Sequence, residues 1–104
     1  MKITHDPTNV AVDCDVVYTD SWMSYGIPKD QEEERVKILT PYQVNENVMA
    51  QSKPDSVFMN CLPAVRGQEQ TTGVVDGPHS IVFDVAENRL YAQKAIVLFL
   101  LNKI

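Results

Sequence analysis

Asp20, Ser24, Cys61 and Arg89 are the side chains whose types and surroundings could do chemistry. Cys61 lies in Asn60-Cys61-Leu62-Pro63-Ala64, directly after the apolar run Val57-Phe58-Met59. A β-branched and aromatic run broken by a Cys and then a Pro predicts a buried strand that ends in a rigid loop, with a thiol at its mouth. A thiol so placed is a nucleophile, a ligand, a hydrogen-bonding partner for a substrate amine, or a small buried hydrophobe. Asp20 stands at a second mouth, after Asp15-Val16-Val17-Tyr18-Thr19. Its carboxylate can hold an ammonium or cap a turn. Ser24 and Gly26 share that loop, offering a hydroxyl and a backbone that a ligand can approach closely. Trp22 and Tyr25 either line a pocket or pack into the core. Arg89 closes Asp84-Val85-Ala86-Glu87-Asn88-Arg89, the start of the last helical pattern. A cation is mildly unfavourable there, so Arg89 needs a partner: Glu87 or Asp84, or an oxyanion such as phosphate.

The remaining candidates are weaker. Cys14 lies between two acids with no strand-end context and is taken as structural. Arg66-Gly67-Gln68-Glu69 reads as a solvated loop or one that covers a ligand. His5 and His79 lack a partnered acid or ligand spacing and read as surface or capping residues. Gln31-Glu32-Glu33-Glu34-Arg35 reads as a solvated helix start.

These residues need a scaffold. Helical patterns separate the two strand runs, so the strands are expected to be parallel and to end on one edge of a sheet. Ligands bind at the carboxyl ends of strands in open parallel sheets, which aims Asp20, Ser24 and Cys61 at a common place. The chain predicts a short strand at Ile3-Thr4-His5 and a brief helix from Thr8 to Asp13, with Asp6 as its cap and Pro7 at its first position. A helix over Lys29–Leu39 follows, acidic at its start, basic near its end and stopped by Thr40-Pro41. Tyr42-Gln43-Val44 is a short extended piece. A helix of about Glu46–Ser52 capped by Asn45, the strand Ser56–Met59, a long loop to Gln70 and one helical turn over Thr71–Val75 come next. Ser80–Phe83 is expected to be extended, and Asp84 to cap a last helix over Val85–Asn102. That helix is apolar all round from Ala95 to Leu101, so its end must be surrounded by further protein, from another subunit or a longer polypeptide.

Size and composition set bounds. A chain of 104 residues makes one domain. Its 44% apolar and 22% charged residues are ordinary for a soluble globular protein. The net charge of −5 is concentrated in residues 1–52, where nine acids face four bases. No basic stripe exists, which argues against nucleic acid and favours a cationic guest such as an amine. No h-region follows Met1, no apolar run is long enough to span a membrane, and the two cysteines make neither a disulfide framework nor a zinc motif. A cytoplasmic location is the simplest expectation.

Taken together, three motifs in order and register resemble the ornithine carbamoyltransferase family across nearly the whole chain. Asp20-Ser21-Trp22-Met23-Ser24-Tyr25-Gly26 is similar to its substrate loop, which usually ends Ser-Met-Gly. Asn60-Cys61-Leu62-Pro63 is similar to its His-Cys-Leu-Pro signature, and Asp84-Val85-Ala86-Glu87-Asn88-Arg89 to its Glu-Ala-Glu-Asn-Arg helix start. The resemblance implies an α/β fold, part of a doubly wound, mainly parallel sheet with flanking helices and a long C-terminal helix. It implies that residues 1–104 are a partial ornithine-binding domain, without the carbamoyl-phosphate domain and its Ser-x-Arg-Thr loop. The implied reaction is attack of the neutral side-chain amine of ornithine on carbamoyl phosphate, giving citrulline and phosphate, with no metal or organic cofactor. Asp20, Ser24 and Tyr25 would bind the amino acid. Cys61 would sit by the reacting amine, the Leu62 carbonyl near the carbamoyl group, and Arg89 on carbamoyl phosphate. Asn60 stands where the family usually has His and Tyr25 where it has Met, so the guest is ornithine or a related amine. A homo-oligomer, trimeric in the family, is implied for the full-length enzyme.

Two other classes of reading compete: a stand-alone amino-acid-binding module, and a structural subunit that docks through its apolar C-terminus. Turnover by the 104-residue chain on its own is not expected in any of the three.

Overall fold

A computed structural model describes residues 3–23 and 26–104. Two parallel strands, β1 (Val16–Thr19) and β2 (Val57–Asn60), form the sheet, in the register Val16↔Val57 through Thr19↔Asn60. Because the pairing offset is constant, the next residues out of the two strands, Asp20 and Cys61, emerge side by side. On its other edge β2 meets a third extended stretch. The Phe58 N–H donates to the His79 carbonyl at 2.7 Å, and the Ile81 N–H donates to the Phe58 carbonyl at 3.0 Å.

Helix α1 (Pro7–Val10) begins at Asp6, whose carboxylate accepts from the Asn9 N–H, and carries Pro7 in its first turn. Helix α2 covers Lys29–Leu39, and a 3-10 turn over Thr40–Tyr42 ends it at Pro41. Helix α3 (Glu46–Gln51) is capped by Asn45, and the single turn α4 (Thr72–Val75) by Thr71. The starts of α1, α3 and α4 agree with expectation because each carries a side-chain acceptor for an orphan N–H, whereas α2 starts after Pro28 without one and relies on its acidic first turn.

Three expectations need correction. Ile3-Thr4-His5 forms no strand; β1 and β2 pair with each other and β2 with the Ser80 stretch, and none of the described residues pairs with Ile3. Tyr42 belongs to the 3-10 turn, leaving Val44 as the extended residue, bridged to Gln70. The last helix, α5, runs Val82–Leu100, three residues earlier than expected. Ile81 is its cap residue without a side-chain bond, and Asp84 lies inside the first turn, where its charge favours the helix dipole. The early start follows from packing: Ile81 is tied to Phe58, and Val82 is fully buried against that strand.

The core is small. Phe58 and Val82 are wholly enclosed, with Ala11, Val44, Val48, Val74 and Val75 around them and Val17, Met49 and Leu62 at the margin. Beyond Val82, α5 leaves this core: Phe83, Leu90, Tyr91, Phe99 and Leu100 are each more than half exposed. The radius of gyration is 16.0 Å, against roughly 13 Å for a compact chain of this length, because a helix of 19 residues projects away. The described residues contain no helix long and apolar enough to cross a membrane.

Candidate functional site

Each predicted site residue owes its position to the end of an element. Asp20 leaves β1 and Cys61 leaves β2, and the shared register brings them into contact: the Cys61 thiol donates to Asp20 Oδ1 at 3.0 Å. Oδ1 also accepts from the Ser21 N–H at 2.7 Å. Among the described residues, Asp20 Oδ2 has no hydrogen-bond partner, and the side chain is exposed. One carboxylate oxygen is thus committed to the scaffold, while the other keeps its lone pairs among the described residues.

The electrostatics follow from that contact. The thiol holds the Asp20 carboxyl below its ordinary range, helped by the Ser21 amide. Asp20 in turn pushes the Cys61 thiol up, and partial burial adds to the effect. Cys61 is therefore a neutral donor near neutral pH. Of the roles open to it, an activated nucleophile requires the opposite shift. The sign of the linkage is definite on both sides. The bond's contribution to stability is lost as pH falls through the lowered Asp20 value, and lost again as pH rises through the raised Cys61 value. Alkylation gives a direct test. In a Cys14→Ser background, the rate of Cys61 modification by iodoacetamide is expected to reach its midpoint above the ordinary thiol value of about 8.5. Asp20→Asn should bring that midpoint down; an unshifted thiol in the parent would contradict the contact.

Leu62 has φ +47°. This left-handed conformation is uncommon for a branched side chain and costs on the order of 1 kcal/mol or more. It is held because the Leu62 N–H donates to Asn60 Oδ1 at 2.7 Å while its side chain packs on the core. Arg89 lies two turns into α5, since the helix begins at Val82. Neither Glu87 nor Asp84 pairs with it among the described residues; its Nη1 approaches the Cys61 carbonyl at 3.5 Å. Asp20, Cys61, Leu62 and Arg89 are thereby gathered at one edge. Ser24 and Tyr25 lie outside the described residues.

Three buried polar residues escaped the sequence reading. Asn60, Glu69 and Gln70 are each fully enclosed. Asn60 Nδ2 donates to Gln70 Oε1 at 3.1 Å, so its side chain serves the loop rather than facing a guest. Glu69 does not lie in a solvated loop as expected; its carboxylate accepts from the backbone of Trp22 and Val65. The bridge between Val44 and Gln70, with the Val44 N–H on the Glu69 carbonyl, accompanies that burial, and no local pattern announces it. Trp22 is buried rather than lining a cleft, and Arg35 donates to its carbonyl. Cys14 donates to the Val10 carbonyl at 3.2 Å. His79, half-buried, bonds the Ser56 carbonyl at 2.8 Å. A separate cleft of about 300 Å³, lined by Glu46, Met49, Gly73 and His79 among others, contains none of the predicted site residues.

Comparison with known proteins places this geometry in context. The family model for the Asp/Orn-binding domain of aspartate/ornithine carbamoyltransferase matches residues 1–100. The ornithine carbamoyltransferase of Methanothermobacter thermautotrophicus is 52% identical over 104 residues, covering the whole of this chain and 34% of that protein. That of Thermococcus kodakarensis is 50% identical over 99% of this chain and 32% of its own length. The ornithine transcarbamoylase structure from Giardia lamblia superposes with a TM-score of 0.87 at 48% identity, over 99% of this chain and 31% of that one. The chain spans about a third of the length of the curated relatives it matches.

Proposed function

The chain belongs to the aspartate/ornithine carbamoyltransferase family, and we propose that it is the ornithine-binding part of an enzyme that forms citrulline and phosphate from ornithine and carbamoyl phosphate. The observation that carries this reading is the Asp20–Cys61 contact at 3.0 Å, with Arg89 beside the same loop. It brings an anionic group for a cation and a guanidinium for an anion to one edge.

In this reading Asp20 Oδ2 and Ser24 hold the amino-acid end of ornithine, with Tyr25 beside them. Cys61, kept as a neutral thiol, lies by the side-chain amine, and the Leu62 carbonyl orients the carbamoyl group. Arg89 binds the phosphate oxyanion. The neutral amine nitrogen forms a bond to the carbamoyl carbon, the bond from that carbon to the phosphate oxygen breaks, and the proton lost by the amine passes to the departing phosphate. Holding both reactants in line supplies much of the rate, and charge stabilisation on the leaving phosphate supplies more. The remaining phosphate contacts come from a carbamoyl-phosphate domain outside residues 1–104, in a homo-oligomeric enzyme of the cytoplasm. The bare apolar face of α5 supports association with further protein.

A domain graft tests the assignment. Residues 1–104 replace the matching third of the Methanothermobacter enzyme, to which they are 52% identical. The graft is expected to form citrulline, whereas the 104-residue chain by itself is expected to form none. A folded graft that turns over another amine and not ornithine would reassign the substrate, and turnover by the isolated chain would refute the division of labour.

A further inference from the structure

Glu69 makes contacts that a loop carboxylate needs only if it holds something in place. Its backbone is fixed to the core: the Val44 N–H donates to the Glu69 carbonyl at 2.9 Å, and Val44 is itself buried. From that anchor the side chain, with no exposure at all, reaches both segments that carry the site. Oε1 accepts from the Trp22 N–H at 3.0 Å, while the nearby Ser21 hydroxyl gives its one proton to the Met23 carbonyl at 2.9 Å. Oε2 accepts from the Val65 N–H at 2.9 Å. Ser21 and Trp22 directly follow Asp20, and Val65 lies four residues after Cys61. No lysine or arginine pairs with Glu69 among the described residues. Its burial is therefore compensated by backbone amides alone, which is stable only while both segments stay in place.

We infer that Glu69 is a positioning residue, whose carboxylate cross-links the Ser21–Trp22 turn to the Val65 turn and so sets the approach of Asp20 to Cys61. The two oxygens are used separately, one per loop. A Gln of the same shape can accept with only one of them, because its amide nitrogen would face an N–H donor. Glu69→Gln thus releases one loop while preserving volume. The consequence for carbamoyl transfer rests on the reading of this edge as the amine site; the positioning itself does not.

The test uses the 104-residue chain with Cys14→Ser and follows Cys61 alkylation against pH. Glu69→Gln is expected to move the midpoint down, toward the ordinary thiol value. At neutral pH the rate should rise with it, since the larger thiolate fraction is only partly offset by lower nucleophilicity. Asp6→Ala, which removes the cap of α1 and touches neither Glu69 nor its Val44 anchor, serves as a control and should leave the midpoint unmoved. A folded Glu69→Gln chain with the parental profile would overturn the inference, as would an equal shift in the control. Amide exchange in the parent provides a check that needs no variant: the Trp22 and Val65 N–H groups should exchange at least about tenfold more slowly than unprotected loop amides. Free exchange at either position would also overturn it. If Glu69→Gln moves the thiol but ornithine never binds the graft, the positioning stands and the substrate assignment falls.

Discussion

Replacing Asp20 by Asn in the citrulline-forming graft is expected to lower kcat/KM for ornithine by about a hundredfold, the effect of losing a charge-assisted hydrogen bond to a substrate cation. The loss should appear mainly as a higher KM for ornithine, because an ammonium held by a carboxylate is bound in the ground state as well as in the transition state. A smaller fall in kcat should accompany it, since Asp20 Oδ1 also fixes the Cys61 thiol at 3.0 Å. The KM for carbamoyl phosphate should be nearly unchanged, because the proposed arrangement assigns the anion to Arg89 and not to Asp20. Steady-state kinetics with each substrate varied in turn separate these terms. An Asp20→Asn enzyme with unaltered ornithine KM would show that the exposed carboxylate is only a turn cap for Ser21, whose N–H it already accepts.

Phe58→Ala should destabilise the fold by about 4 kcal/mol, within the usual cost of truncating a buried aromatic. Phe58 has no exposed surface and centres the only hydrophobic cluster among the described residues. Its own N–H and carbonyl are the two groups that hold the Ser80 stretch to β2. A domain of this size has a total stability on the order of 5–15 kcal/mol, so the variant should lose a large share of it and release the Cys61 loop three residues away. Urea denaturation followed by circular dichroism gives the value; a loss below about 1 kcal/mol would mean that β2 is not the centre of the core.

What the sequence made legible and what it hid divide along the range of the forces involved. Local chemistry was readable. Asp6-Pro7, Asn45 and the acidic start of Lys29–Leu39 each mark a helix by satisfying or complementing its first N–H groups, and these helices form where those residues say. The parallel pairing of the strands followed from the helices between them, and with it the meeting of Asp20 and Cys61. Non-local burial was not readable. Glu69 looks like any loop acid until Val44 bridges to Gln70 and draws it inside. Asn60 looks substrate-facing because it stands at the His position of the resembled signature, yet the alternation of β2 turns it inward to Gln70. The start of α5 was misplaced because Asp84 is a good cap by type, whereas the enclosure of Val82 against β2 sets the boundary. In each case tertiary packing prevailed over local preference.

The most direct measurement is substrate protection of Cys61. In the graft with every other thiol removed, the alkylation rate of Cys61 is to be followed as ornithine is raised, with carbamoyl phosphate or phosphate present. If this edge receives the amine, the rate falls along a saturating curve whose midpoint matches the ornithine dissociation constant, and Asp20→Asn displaces that curve to higher concentration. A rate that stays constant at every ornithine concentration, while the same enzyme goes on making citrulline, would put the amine elsewhere and contradict the account.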